Sequence, residues 1–505
     1  MVRVRSQQAF VLTFKLRSMN GNNIKYKIAI VAVMLLSPIL FMSCKKSFLE
    51  LTPKGMVIAQ TTNDYDLMFN SLNLLNMNTD AQVPLGDDAA ASSTYFAGAA
   101  LRTQRLFEYD AAVYDNGQSA PEMLVPMQSI YLYNTVINSV IGSSGGSTAQ
   151  KQALQAEAMA DRAWTYFLLI NYYGKPYDST TAATDPGFPI IKTSDVTTTS
   201  FTRASVQQVY DFIVSDLTTA IPNLGALSFR TRMSKAAAEA LLGKVYVFMR
   251  KFDQAIPLLN TALADLNGSS VTVRLYNYNT DMQPGGVMAL SASTGLPGLI
   301  LLPNSLENIF ARQFSNSWSN TYGIHDILLS PQTYSLYDPS DLRRVFFSNT
   351  ILGQSNALPP GVYYRDYPSQ TMIGMTLPDF YLLKAEAEAR VNDLATAKTD
   401  VETVRNARMP AANAAVPANT ATDQVALVKF ILDERTREFA LQGYRWFDMR
   451  RLSIDPTYSG VVNTTHTVYN NDGTISATYN LTTDRYVLQF PSLVIQQNPG
   501  MQNNP

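Results

Sequence analysis

A chain of 505 residues can bury a sizeable core in one large unit or in two or three smaller ones. Hydrophobic residues make up 46% and charged residues 16%, while Tyr (27) and neutral polar residues are abundant, a surface suited to a neutral, polar partner such as a sugar or peptide. The formal charge is −1, but six basic residues and no acid fall within 1–43. Without that segment 33 basic residues face 40 acidic ones, about −7, which excludes nucleic acid, whose binding rests on basic phosphate contacts.

Lys25 and Lys27 lead into Ile28–Met42, a largely apolar run interrupted by Pro38 and shorter than the ~20 residues that a membrane-crossing helix needs. This is the pattern of an export signal. It ends on Ser43-Cys44, and a small residue before a cysteine is what a lipid-attaching signal requires. Residues 1–43 are therefore read as a signal peptide and Cys44, the chain's one cysteine, as the lipidated residue. Phe41 and Met42 depart from the Leu and small residue usual in that motif. Met19 is expected to be the true start, because 19–43 has the length of an ordinary signal. Residues 44–60 read as a tether. One cysteine permits no disulfide framework, and the two histidines, His325 and His466, form no metal-ligand pattern. No cofactor and no metal are expected.

The mature chain reads as helices broken by polar loops. Apolar spacing predicts a helix over Ala153–Tyr173, stopped by Gly174-Lys175-Pro176, and another over Ser205–Ile221 with Val206, Val209, Tyr210, Ile213 and Leu217 on one face. Ser234–Leu266 resembles a tetratricopeptide repeat: Leu242-Gly243, Tyr246, Phe252, Ala255 and Ala262 fall at its spacing, and small residues let two antiparallel helices approach closely. Tyr381–Arg408 is a weaker copy around an Asn392-Asp393 turn. Residues 268–375 lack helical periodicity and contain β-like stretches at Gly298–Leu302 and Asn308–Phe314, which predicts a loop-rich region carried on the helical scaffold. In 455–490, Asn470-Asn471-Asp472-Gly473 signals a hairpin between two alternating runs.

Several segments then point to one family. Ser47-Phe-Leu-Glu50, Tyr131-Leu-Tyr-Asn-Thr-Val-Ile-Asn138, Ala156–Phe167 with Tyr173-Gly174-Lys175-Pro176, Asn304–Phe310, Asp338–Arg343, Pro378–Glu388, Ile431–Arg450 and the closing Phe490-Pro491 to Pro505 occur in the order of the SusD/RagB nutrient-uptake lipoproteins of Bacteroidetes, which the chain resembles through essentially its whole mature length. The resemblance implies an outer-membrane lipoprotein facing the cell exterior, partnered by a SusC-like TonB-dependent transporter. It also implies that the protein binds oligosaccharides without changing them.

Glu434, Arg435, Arg437 and Glu438 could suggest paired carboxylates for glycoside hydrolysis, but opposite charges at i,i+3 (Glu434–Arg437, Arg435–Glu438) favour structural ion pairs. Arg445, Asp448 and Arg450 are read the same way, as are Glu157, Asp161, Arg162, Glu386 and Glu388. With no serine-histidine arrangement and no phosphate loop, no enzyme is expected. Trp164, Tyr166, Phe167, Trp446 and Phe447 are expected in the core. Trp318 sits in Ser315–Tyr322, a polar loop with no apolar period to bury it, so Trp318 and Tyr322 are expected to offer a sugar their ring faces, with Asn316 and Asn320 supplying hydrogen bonds. The resemblance adds an N-terminal contribution, assigned to Tyr95, Phe96 and Asp80.

The expected fold is mostly α, with tetratricopeptide-like hairpins at about 130–265 and 378–450, a ligand-binding region at about 268–375 and a few short strands, all within one domain over 61–505. A peptide-binding uptake lipoprotein and a tetratricopeptide interaction scaffold remain as alternatives.

Overall fold

Several helix starts in this protein are fixed by side-chain caps. Ser147 and Ser205 each accept a hydrogen bond from the backbone N–H three residues on, while Gln150 and Gln208 reach back to the cap's own N–H. Thr61 and Asp64 make the same exchange. The computed structural model describes residues 59–505 except 196, 198, 199, 299–301, 316, 317, 319–323, 352–357 and 367–369. The expected signal peptide, Cys44 and nearly all of the tether lie outside the described residues, as do Asn316, Asn320 and Tyr322.

The helices that organise the fold are α1 (Thr62–Met68), α2 (Ser93–Phe96), α3 (Leu101–Phe107), α4 (Pro121–Ser139), α5 (Thr148–Tyr173), α6 (Val206–Ala220), α7 (Lys235–Phe248), α8 (Phe252–Asn267), α9 (Leu377–Arg390), α10 (Leu394–Arg408), α11 (Gln424–Glu438) and α12 (Tyr444–Ser453). The spacing rule locates α5 from Ala153, but the helix starts at Thr148 because the Ser147–Gln150 box lies ahead of its first apolar residues. From Ala160 to Tyr173 every residue is buried, so α5 is the central rod against which α4 and α6 pack. The predicted apolar face of α6 is buried throughout.

The α7–α8 hairpin closes as its sequence indicates. A Cβ on Gly243 would lie 2.7 Å from Leu259 Cγ, so only glycine lets α8 come this close. The second hairpin, α9–α10, turns through Asn392 at φ +67, and Asp393 caps α10 by accepting from Thr396 N. Ala385, Ala397, Val401 and Val404 are fully buried in a second apolar cluster shared with Leu427 and Ile431 of α11. Asp379 of α9 ties the hairpins together, with Lys244 of α7 at 2.8 Å and Arg435 of α11 at 3.0 Å. The fold is mostly helical, as expected, and Gln60–Pro505 form one compact unit.

The strands are short: β1 (Ala89–Ser92), β2 (Asn308–Phe310), β3 (Gln313–Ser315), β4 (Leu328–Leu329), β5 (Phe347–Ser348), β6 (Tyr364–Arg365), β7 (Gln370–Met372), β8 (Met375–Thr376), β9 (Thr465–Tyr469) and β10 (Ile475–Asn480). The β-like run at 308–314 is two strands, β2 paired with β8 and β3 with β7. In the run at 298–302, residues 299–301 lie outside the described residues, and Leu302 opens a 3₁₀ turn rather than a strand. The largest sheet has the order β10-β9-β1-β4, with β9 and β10 joined by the predicted turn at 470–473. Among the described residues no helix is long and apolar enough to cross a membrane.

Candidate ligand-binding site

The sheet register decides what meets at its edge. Strand β1 runs parallel to β9, pairing Ser92 with Tyr469, and antiparallel to β4, pairing Ala90 with Leu328. The ends of β1 and β9 and the approach to β4 therefore share one edge. There Tyr95 of α2, Tyr469 with the Asn470-Asn471 turn, and His325 come together. Ser93 Oγ donates to Asn470 Oδ1 at 3.1 Å and Thr94 Oγ1 to Asn471 Oδ1 at 3.0 Å, so the turn is fastened to α2 by side chains that are themselves polar and accessible. Gly473, at φ +85, brings the same turn against Pro360, where a Cβ would sit 3.3 Å from the proline ring.

Tyr95 stands edge-on to His325, with centroids 5.2 Å apart at 78°, and His325 lies 4.9 Å from Tyr364. Tyr95 and Tyr469, both partly buried, rest on a small apolar cluster of Leu328, Ile351, Leu358, Val362 and Tyr364. His325 is fully buried, and neither ring nitrogen has a hydrogen-bond partner. Burial lowers its pKa, so the ring is neutral and holds one donor and one acceptor in reserve. Tyrosine rings, two asparagines and a neutral imidazole on one ledge can pack on the apolar faces of a sugar ring and hydrogen-bond its hydroxyls.

Of the residues chosen from the sequence, Tyr95 is on this rim. Trp318 is not an exposed platform: it is 3% exposed and its indole N–H donates to Thr103 Oγ1 of α3 at 3.0 Å. Its sequence neighbours are polar, but the ring belongs to the main apolar cluster and bonds to α3, far away in sequence. Phe96 is also buried, packed on Phe107 at 4.9 Å. Asp80 pairs with Arg102 at 2.9 Å in a cluster that also holds Glu122 and Tyr114. Burial, only partly offset by Arg102, pushes its carboxyl up to about 6. Trp318 and Phe96 are thus buried rings rather than the exposed ones expected of a sugar platform. His325, Tyr364 and Tyr469 were missed because none sits in a marked motif. The one available signal was His325 itself, a histidine between Ile324 and Ile327 with no metal or catalytic pattern to explain it.

The charged C-terminal helices form ion pairs, as expected, though one pairing differs. Glu434 meets Arg437 at 2.7 Å, Arg405 at 2.6 Å and Arg343 at 2.7 Å. Arg435 does not pair with Glu438 along the helix: it turns to Asp379 and Asp448, while Glu438 takes Arg343 and Arg408. Tertiary guanidinium partners outcompete the helical neighbour because the helix is buried on the faces that carry them. Arg445 pairs with Asp87, and Asp448 also with Arg451. Arg450 is the exception, donating to the carbonyls of Tyr486 and Gly174. Glu157, Asp161, Arg162, Glu386 and Glu388 meet Arg232, Arg312, Asp216, Arg451 and Lys384. A cavity of about 120 Å³ beside this network is lined by Glu307, Arg343, Arg437 and Glu438 among others, carboxylates already held by guanidinium groups.

Comparison with known proteins gives a consistent picture. Residues 354–505 match the model of the SusD family, and residues 90–247 match a model described as starch-binding associating with outer membrane. SusD-like protein P38 of Formosa agariphila is 24% identical over 369 residues, covering 61% of this chain and 68% of that protein. A putative sugar binding protein from Bacteroides vulgatus superposes with a TM-score of 0.65 at 19% identity, over 89% of this chain and 99% of that one. Surface glycan-binding protein A from Bacteroides uniformis gives 0.64 at 15% identity, over 88% and 99%. At these identities the structures establish a shared fold.

Proposed function

We propose, from the premise that this chain belongs to the SusD family, that it holds oligosaccharides at the Tyr95–His325–Tyr469 rim without altering them and delivers them to a SusC-like TonB-dependent transporter of the outer membrane. The observation that carries this reading is the rim itself: partly exposed tyrosines over a buried, neutral and unpartnered histidine, beside two asparagines. The binding-only role is supported by the carboxylates of the signature helices, which are engaged by arginines and lysines rather than facing a ligand. The test is calorimetric titration of the full chain in detergent with glycan and peptide panels, with products checked for cleavage. Saturable glycan binding is expected, and Tyr95→Ala should weaken it by about tenfold or more, as loss of a central aromatic contact does. Peptide binding alone, or turnover, would replace this reading.

The anchor is part of the same proposal. Cys44 carries the lipid that holds the protein on the outer membrane, facing outward. Cys44→Ala is expected to move the protein from the membrane fraction to the soluble fraction, as followed by fractionation and immunoblotting. Unchanged attachment would sink the anchor. Co-purification with a TonB-dependent channel from mild detergent tests the partner.

A further inference from the structure

We infer that Arg344, Tyr334 and Tyr363 form a second saccharide subsite, one that takes the anionic group of an acidic sugar, a carboxylate or a sulfate ester. The inference rests on the glycan reading above and adds a substrate class to it. Tyr334 closes the short helix Pro331–Tyr334, and Arg344 lies in the 3₁₀ turn Leu342–Phe346. Tyr363 pairs with Leu329 of β4 just ahead of β6. The two tyrosine rings are stacked, with centroids 3.6 Å apart at 17°. Tyr363 and Tyr364 are successive residues of extended chain, so their side chains leave on opposite faces. Tyr364 turns to His325 of the rim, whereas Tyr363 turns to Tyr334 and Arg344.

What meets at the hydroxyl end of this stack is a set of donors. Arg344 Nε donates to Tyr334 Oη at 3.1 Å and Nη1 to the Pro339 carbonyl at 3.0 Å. Three of its five N–H groups are thus left without an acceptor among the described residues. Burial raises the pKa of the Tyr363 hydroxyl and Tyr334 adds to the rise, against the opposing charge of Arg344, so this hydroxyl keeps a proton to donate at neutral pH. All three side chains are partly exposed, within reach of a ligand. Nearby Arg343, Arg405 and Arg437 are all paired with Glu434, but among the described residues no carboxylate pairs with Arg344. Asp338 is near enough to feel the charge of Arg344, yet it is exposed and accepts instead from Ser340 N and Oγ at 2.8 and 2.6 Å. A sugar carboxylate or sulfate carries acceptors alone and matches such a corner, where charge-assisted bonds to a guanidinium are about twice as strong as neutral ones. A neutral hydroxyl makes only the weaker kind.

The test titrates the full chain in detergent with oligogalacturonate, sulfated galacto-oligosaccharide and neutral galacto-oligosaccharide of matched length. At least one acidic set is expected to bind about tenfold tighter than the neutral set and to lose about tenfold in Arg344→Gln. That binding should also weaken as salt is raised, because the site is partly exposed. Tyr363→Phe keeps the ring stack and removes one donor, so acidic binding should fall several-fold. Asp338→Asn keeps an acceptor for Ser340 and removes a nearby negative charge. It should strengthen acidic binding by about twofold and leave neutral binding unchanged, a response that a loss of structure cannot mimic. Thermal unfolding checks that each variant is folded. Acidic binding no tighter than neutral, or unmoved by Arg344→Gln, would overturn the subsite, while neutral binding that is lost in Tyr95→Ala would leave the glycan reading intact. Binding of neither set would overturn both.

Discussion

Glu434→Gln is expected to lower the stability of the folded chain by about 3–5 kcal/mol, the range for removing one partner of a buried ion-pair network. Glu434 is fully buried and touches three guanidinium groups, those of Arg343, Arg405 and Arg437. Burial alone would raise its pKa, but those three cations outweigh it and hold the carboxyl well below the ordinary carboxylate range. Gln is nearly isosteric, so the change removes charge without opening a cavity. Arg343 keeps Asp341 and Glu438, whereas among the described residues Arg405 and Arg437 lose their paired carboxylate and are left with backbone carbonyls and the neutral amide oxygen. Urea unfolding of wild type and variant measures the difference. A loss under about 1 kcal/mol would mean that the network is no more consequential than a set of surface pairs.

The second large effect is a pH dependence centred on Asp88. Burial pushes its carboxyl up to about 7, with neighbouring Asp87 adding to the rise and the Leu441 N–H, at 2.7 Å, and Arg445 opposing it. In the unfolded chain an aspartate titrates near ~3.9. Between about pH 4 and pH 7 the folded state therefore binds a proton that the unfolded state has released, and stability falls as pH rises through that window. The contribution is fully present below about pH 4 and lost above about pH 7, roughly 2–4 kcal/mol in all. Glu434 and Asp448, held low by their arginines, act in the opposite sense: their contribution is lost only as pH falls below that window. Asp88→Asn keeps an acceptor for Leu441 N and removes the titration. Wild-type stability should decline relative to the variant between pH 4.5 and 7.5 in parallel unfolding series. Curves that stay parallel would show that Asp88 does not titrate in this range.

Local features carried most of the architecture into the sequence. The α7–α8 hairpin was legible because Gly243, Ala255 and Ala262 recur at helical spacing and because close approach needs small residues whatever their partners. The 470–473 turn was legible because an Asn-Asn-Asp-Gly run has few other uses. The proposed rim was not legible in the same way, because its members come from separated segments joined by the register of β1 with β4 and β9 and by the bridge between Leu329 and Tyr363. Trp318 shows the limit most clearly. Its neighbours in sequence are polar, so local pattern placed it at the surface, whereas it is buried in the main apolar cluster and bonded to Thr103, some two hundred residues earlier. The Arg435–Glu438 pair failed for the same reason: spacing along one helix says nothing about an aspartate on α9.

That register also sets an order of assembly. Helices α4 to α8 meet partners that are close in sequence, and contacts of that kind form early, whereas strand pairs that span a long chain close late. Strand β1 lies near the start of the fold, and its parallel partner β9 lies near the end. As the chain is made from the N-terminus, Tyr95 stays without Tyr469 and its asparagine turn until almost the last residues have emerged. A chain cut short before β9 thus keeps the contacts among α4 to α8, yet it cannot bring Tyr95 and Tyr469 together.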